Sequence, residues 1–120
     1  DAWLREVVGR MTLAEGDARH LGAAALLRQD VIYLDPMFPP RDKSAAVKKE
    51  MALFQALFSH PGAAADADAL LGWALQAPVA RVVVKRPLKA APLAGRAPSH
   101  AIRGKAVRHD VYVLSALGAN

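Results

Sequence analysis

The chain has 120 residues, enough for one domain or a piece of one, with a single buried core. Sixteen Lys+Arg against eleven Asp+Glu give a formal net charge of +5, and cysteine is absent, which excludes a disulfide framework and thiolate chemistry and fits a reducing cytoplasm. No apolar run reaches the length of a membrane span and no basic-then-apolar leader opens the chain, so a protein without membrane contact is expected.

The first element in chain order is a short amphipathic helix over residues 2–9, with Trp3 as a packing anchor and Gly9 as its stop. Asp1 is not an initiator and the helix opens abruptly, which suggests a segment of a longer protein. Met11-Thr12-Leu13 reads as a short strand closed by Glu15-Gly16-Asp17, and residues 18–28 as a helix carrying Leu21, Ala25 and Leu26. Val31-Ile32-Tyr33-Leu34 is an unbroken apolar run, as in a strand buried on both faces, and Pro36 forces it to end at Asp35.

A helix is expected from about Ala45 to Phe58, with Val47, Met51, Phe54 and Phe58 along one face. Pro61-Gly62 stops it. Asp66 and Asp68 suit the start of the next helix, and Leu70, Leu71, Ala74 and Leu75 supply its buried face. Val79 to Val84 is a second apolar strand, ending at Lys85-Arg86-Pro87. The segment from Leu88 to Gly104 reads as a long loop. Val107, His109, Val111 and Val113 then alternate with Arg108, Asp110 and Tyr112, a strand with one wetter face.

Strands alternating with helices predict an α/β fold with a mostly parallel sheet covered on both sides. In such a sheet the ends of both apolar strands share one rim, so Asp35, Phe38, Lys85 and Arg86 should cluster there. The basic residues concentrate late in the chain: Arg81, Lys85, Arg86, Lys89, Arg96, Arg103, Lys105 and Arg108 face a lone acid, Asp110. That pattern favours a polyanion, most commonly nucleic acid, although a basic surface serving only solubility fits net charge as well. The histidines show no metal-ligand spacing, so no metal is assigned.

Asp35-Pro36-Met37-Phe38 resembles the Asp/Asn-Pro-Pro-Tyr/Phe motif of class I S-adenosylmethionine-dependent methyltransferases that modify exocyclic nitrogens. An exocyclic amine is a poor nucleophile because its lone pair is delocalised into the ring. The Asp35 carboxylate and the Pro36 carbonyl could accept its hydrogens, and Phe38 could stack on an extruded base. An Asp-Pro at a strand end also serves as a plain turn.

The wider pattern is more specific. Lys43-Ser44-Ala45, Val47-Lys48-Lys49-Glu50-Met51, Arg81-Val82-Val83-Val84-Lys85-Arg86-Pro87, Pro92-Leu93-Ala94-Gly95 and Asp110-Val111-Tyr112 are together similar to the bacterial small-subunit ribosomal RNA guanine-N2 methyltransferases of the RsmJ type. The resemblance implies a Rossmann-like class I fold, S-adenosylmethionine as cofactor, and methylation of the exocyclic N2 of a guanine in small-subunit (16S) rRNA or the ribosomal subunit. It also implies Asp35, Pro36 and Phe38 as the catalytic motif, Asp17 near the cofactor, and Lys43, Lys48, Lys49, Lys85 and Arg86 as RNA-binding or rim residues.

No Gly-x-Gly stands among the eight glycines. The resemblance, in a family that carries its glycine-rich cofactor loop further upstream, then implies that residues 1–120 are the carboxyl-terminal part of one methyltransferase domain, lacking the amino-terminal half with that loop. Its exposed sheet edge at residues 31–34 would invite self-association. The alternatives are a non-catalytic basic RNA-binding α/β module, which has no use for Asp35, and an amino-methyltransferase acting on DNA adenine or a protein glutamine.

Overall fold

The structure, a computed structural model, describes residues 1–21, 26, 29–36 and 63–117. The expected helix over 45–58 lies outside them, as do Phe38, Lys43, Lys48 and Lys49 and most of the helix expected over 18–28.

The chain enters through helix α1, Ala2–Val8, whose Asp1 side chain caps the Trp3 amide at 3.0 Å and whose end is Gly9. None of its residues is buried, and Trp3 is 68% exposed, so it is not the anchor its sequence suggests. Residues 11–13 form no strand. Leu13 is almost fully exposed, and no described strand lies beside this segment to satisfy its backbone. A 3-10 turn follows at Ala18–His20, and Leu21 leaves it in an extended conformation.

Four strands form one sheet in the order β1-β2-β4-β3: β1 is Val31–Leu34, β2 Arg81–Pro87, β3 His100–Arg103 and β4 Val107–Val113. β1 and β2 are parallel, with Leu34 opposite Val84, while β4 runs antiparallel to both β2 and β3. The described sheet is thus mixed, not mostly parallel. β2 runs three residues past Val84 because β4 pairs with it along its whole length, from Arg81–Val113 to Pro87–Val107. Pro87, with no N–H to give, takes the last position. The expected long loop contains a 3-10 turn at Leu93–Gly95 and the fully exposed edge strand β3. Ala94 (φ 55°) and Gly95 (φ 67°) take the left-handed conformation, and Asp68 Oδ1 accepts the Ala94 amide at 3.1 Å.

One face of the sheet carries the core. Helix α2, Ala63–Leu75, lays Ala67, Leu71 and Ala74 against Leu34, Val82, Val84, Leu93 and Tyr112, an i, i+4, i+7 stripe. Leu71, Val82 and Val84 are completely buried. Ile32 and Trp73 pack at its margin. On the opposite face Val31 is 44% and Tyr33 54% exposed while Val111 on β4 is buried, so β1 itself is buried on its core side only.

Strand alternation places Arg108, Asp110 and Tyr112 on the core face with Val82 and Val84. The face of β4 that looks wetter in sequence is the buried one, because Arg108 and Asp110 neutralise each other there at 2.6 Å.

Candidate active site at the carboxyl rim of the sheet

β1 ends at Leu34, just before Asp35, because Pro36 has no amide hydrogen for a ladder. Parallel pairing with β2 then sets Asp35 beside Lys85, and the Lys85 ammonium lies 3.7 Å from the Asp35 carboxylate. Both side chains remain more than a third exposed, so the pair is open to solvent and to a ligand. The expected meeting of Asp35 and Lys85 at one rim is therefore observed.

Beyond Lys85, the same row continues across the sheet to His109 on β4 and Ile102 on β3. The Tyr33 hydroxyl lies 3.2 Å from His109 Nε2, with the two rings 5.9 Å apart. Tyr33 and His109 belong to the rim's polar group and were not singled out in the sequence. Residue parity on β4 hints at it, since His109 alternates with Arg108 and Asp110. The antiparallel register that brings it next to Lys85 is not written in any local pattern.

Arg86 separates from Lys85. Successive strand residues point to opposite faces, and Arg86 turns to the core face, where its Nε and a terminal nitrogen donate to the Ala91 carbonyl at 3.1 and 2.6 Å. Burial, and then the like charge of Arg108, lower its pKa. Lys85 and Arg86 are adjacent in sequence but do not line one crevice.

Arg108 reaches the same turn. It donates to both Asp110 oxygens, at 2.6 and 3.0 Å, and through its other terminal nitrogen to the carbonyls of Leu88 (3.1 Å) and Ala90 (2.8 Å). The Asp110 carboxylate raises the Arg108 pKa through those hydrogen bonds. Tyr112, its pKa raised by burial, donates its hydroxyl to the Arg96 carbonyl at 2.7 Å.

Asp17 is occupied locally. It caps the 3-10 turn through the Arg19 amide and grips the Arg19 guanidinium, which holds its carboxyl at about 2. Among the described residues no group of His, Asp or Glu could hold a metal ion, and no helix is long and apolar enough to cross a membrane.

Residues 1–114 match a family model described as "Putative SAM-dependent methyltransferase". The chain belongs to this S-adenosylmethionine-dependent methyltransferase family. It is 53% identical over 115 residues to the ribosomal RNA small subunit methyltransferase J of Thioalkalivibrio sulfidiphilus, covering 94% of this chain and 44% of that protein. The protein of the same name in Rhodopseudomonas palustris is 54% identical over 111 residues, covering 92% of this chain and 52% of its own length. The crystal structure of a SAM-dependent methyltransferase from Neisseria gonorrhoeae superposes with a TM-score of 0.63 at 34% identity, covering all of this chain and 47% of that one. The chain thus spans about half the length of the curated relatives it matches.

Proposed function

We propose that this chain supplies the acceptor side of an enzyme that methylates the exocyclic N2 of a guanine in small-subunit rRNA. The supporting observation is the Asp35 carboxylate, exposed at the carboxyl rim, followed at once by Pro36 and flanked by Lys85 at 3.7 Å. Such a carboxylate, with the Pro36 carbonyl, accepts hydrogens from an incoming amine and orients its lone pair, and catalysis of this kind is mainly positioning. Phe38 is proposed to stack on the extruded base.

S-adenosylmethionine, when bound, supplies an electrophilic methyl group on a sulfonium. The rim residues suit an amine and an anion better than that cofactor: a half-exposed carboxylate, a lysine beside it and an imidazole one strand further on. Asp17 is the candidate on the donor side, where it would have to exchange Arg19 for the cofactor. Lys85, with Lys43, Lys48 and Lys49, is proposed to meet RNA phosphates. Arg86, half-buried on the other face of β2, holds the Ala91 carbonyl. A cytoplasmic site of action follows from an rRNA substrate. Names of relatives at 53–54% identity favour this reading over a purely binding module.

In the intact protein, Asp35→Ala should lower methyl transfer to small-subunit rRNA at least about a hundredfold while leaving RNA affinity nearly unchanged, because phosphate contacts dominate binding. Near-normal turnover of that variant would refute the role of Asp35. Transfer to DNA adenine or to a protein glutamine, with none to rRNA, would refute the substrate.

A further inference from the structure

The turn after β2 is built with unusual investment. Pro87, Leu88, Lys89 and Ala90 form a tight reversal closed by the Ala90 amide on the Pro87 carbonyl at 3.1 Å. The carbonyls of Leu88, Ala90 and Ala91 are then all taken by guanidinium groups, the first two by Arg108 and the third by Arg86. Arg108 is only 6% exposed and its partner Asp110 1%. Removing such charges from water is costly, and in general an apolar pair of similar volume replaces a buried ion pair with little loss. What the pair adds is geometry: a guanidinium fork fixes directions that an apolar side chain cannot.

The one charged residue in this fixed turn is Lys89. Its neighbours' carbonyls are held on either side, its side chain is exposed, and it has no ion-pair partner among the described residues. The turn stands where β2 leaves the rim, two residues beyond the lysine that pairs with Asp35. β4 starts opposite Pro87, so Arg103 at the end of β3 and Lys105 in the β3–β4 turn lie at the same end of the sheet.

We propose that the Pro87–Ala90 turn is a phosphate-contacting element for RNA, that Lys89 makes the contact, and that Arg108 is the positioning residue that aims it. This rests on the rRNA reading above. It adds a contact that neither the motif nor the resemblance assigns, and it explains why a buried ion pair ends on two backbone carbonyls of this turn.

The test uses the intact protein with small-subunit rRNA, measuring RNA affinity against salt together with methyl-transfer kinetics. Lys89→Ala should weaken RNA binding roughly three- to tenfold and reduce the salt slope by about one, with the loss in KM rather than kcat. Arg108→Lys should weaken binding similarly, and Lys89→Ala added to it should cost no more, since the two act through one contact. Should Arg108→Lys fail to fold, Lys89→Ala combined with Ala91→Lys decides: a merely diffuse charge is restored by moving it two residues, and an aimed one is not. Unchanged affinity and slope in Lys89→Ala, additive losses in the double variant, or rescue by Ala91→Lys would each overturn the proposal. Absence of any transfer to rRNA by the parent protein would instead count against the proposed function.

Discussion

Truncating Asp110 to alanine should be among the most damaging single changes in this chain. The carboxylate is 1% exposed and accepts both hydrogen bonds from the buried edge of Arg108. Asp110→Ala leaves a guanidinium that water cannot reach, still bonded to two carbonyls but without a counter-charge. Breaking a buried pair from one side costs about 3–5 kcal/mol. Replacing both partners, as in Arg108→Met with Asp110→Leu, removes the stranded charge but orphans the Leu88 and Ala90 carbonyls. Each unsatisfied carbonyl costs on the order of 1–3 kcal/mol if it stays dry, less if the turn opens to water. The double variant should therefore be more stable than Asp110→Ala yet short of the parent by about 1–2 kcal/mol. Urea unfolding of the intact protein, followed by circular dichroism, measures all three. A loss below about 1 kcal/mol for Asp110→Ala, the range of exposed pairs, would refute the reasoning.

Three other outcomes are expected. Leu71→Ala should cost about 2–5 kcal/mol in the same unfolding experiment, because Leu71 is wholly enclosed between α2 and the sheet. By NMR titration the Asp17 carboxyl should show a midpoint of about 2, against an ordinary 3.8, and Arg19→Ala should return it towards the latter. Its folded pKa is depressed, so the support it gives the local turn is present above 3.8 and is lost as pH falls through about 2, and added salt should shrink the effect. Light scattering on the isolated 120-residue chain should show association through β1, an edge of the described sheet, and Val31→Lys should suppress it; a monomer throughout would count against that edge as the contact.

The elements with strong local grammar were legible in the sequence. β1 is bounded by an apolar run and a proline, and the Leu71 and Ala74 face of α2 follows its helical spacing. The rim pairing of Asp35 with Lys85 was legible because both apolar strands end in charge and proline. The failures share one cause, namely that register and partner are non-local. β3 has no apolar pattern and exists through pairing with β4, while residues 11–13 have a strand-like composition and no described partner. The buried face of β4 was misjudged because hydropathy counts Arg108 and Asp110 as two polar residues. Opposite charges two positions apart on a strand point the same way and can neutralise one another, which was the available signal.

The opposed directions of Lys85 and Arg86 bear on how this segment can change over time. Point substitutions in β2 act on one side of the sheet at a time, so the solvent-facing rim and the interior can drift separately. A single-codon deletion between Val79 and Val84 has no such freedom: it would put the lysine in Val84's place on the core face, opposite Asp110, and the arginine in the lysine's place beside Asp35. The spacing of this strand is thus constrained more tightly than the identity of most of its side chains, and length variation should fall instead in exposed connections such as the turn after β3.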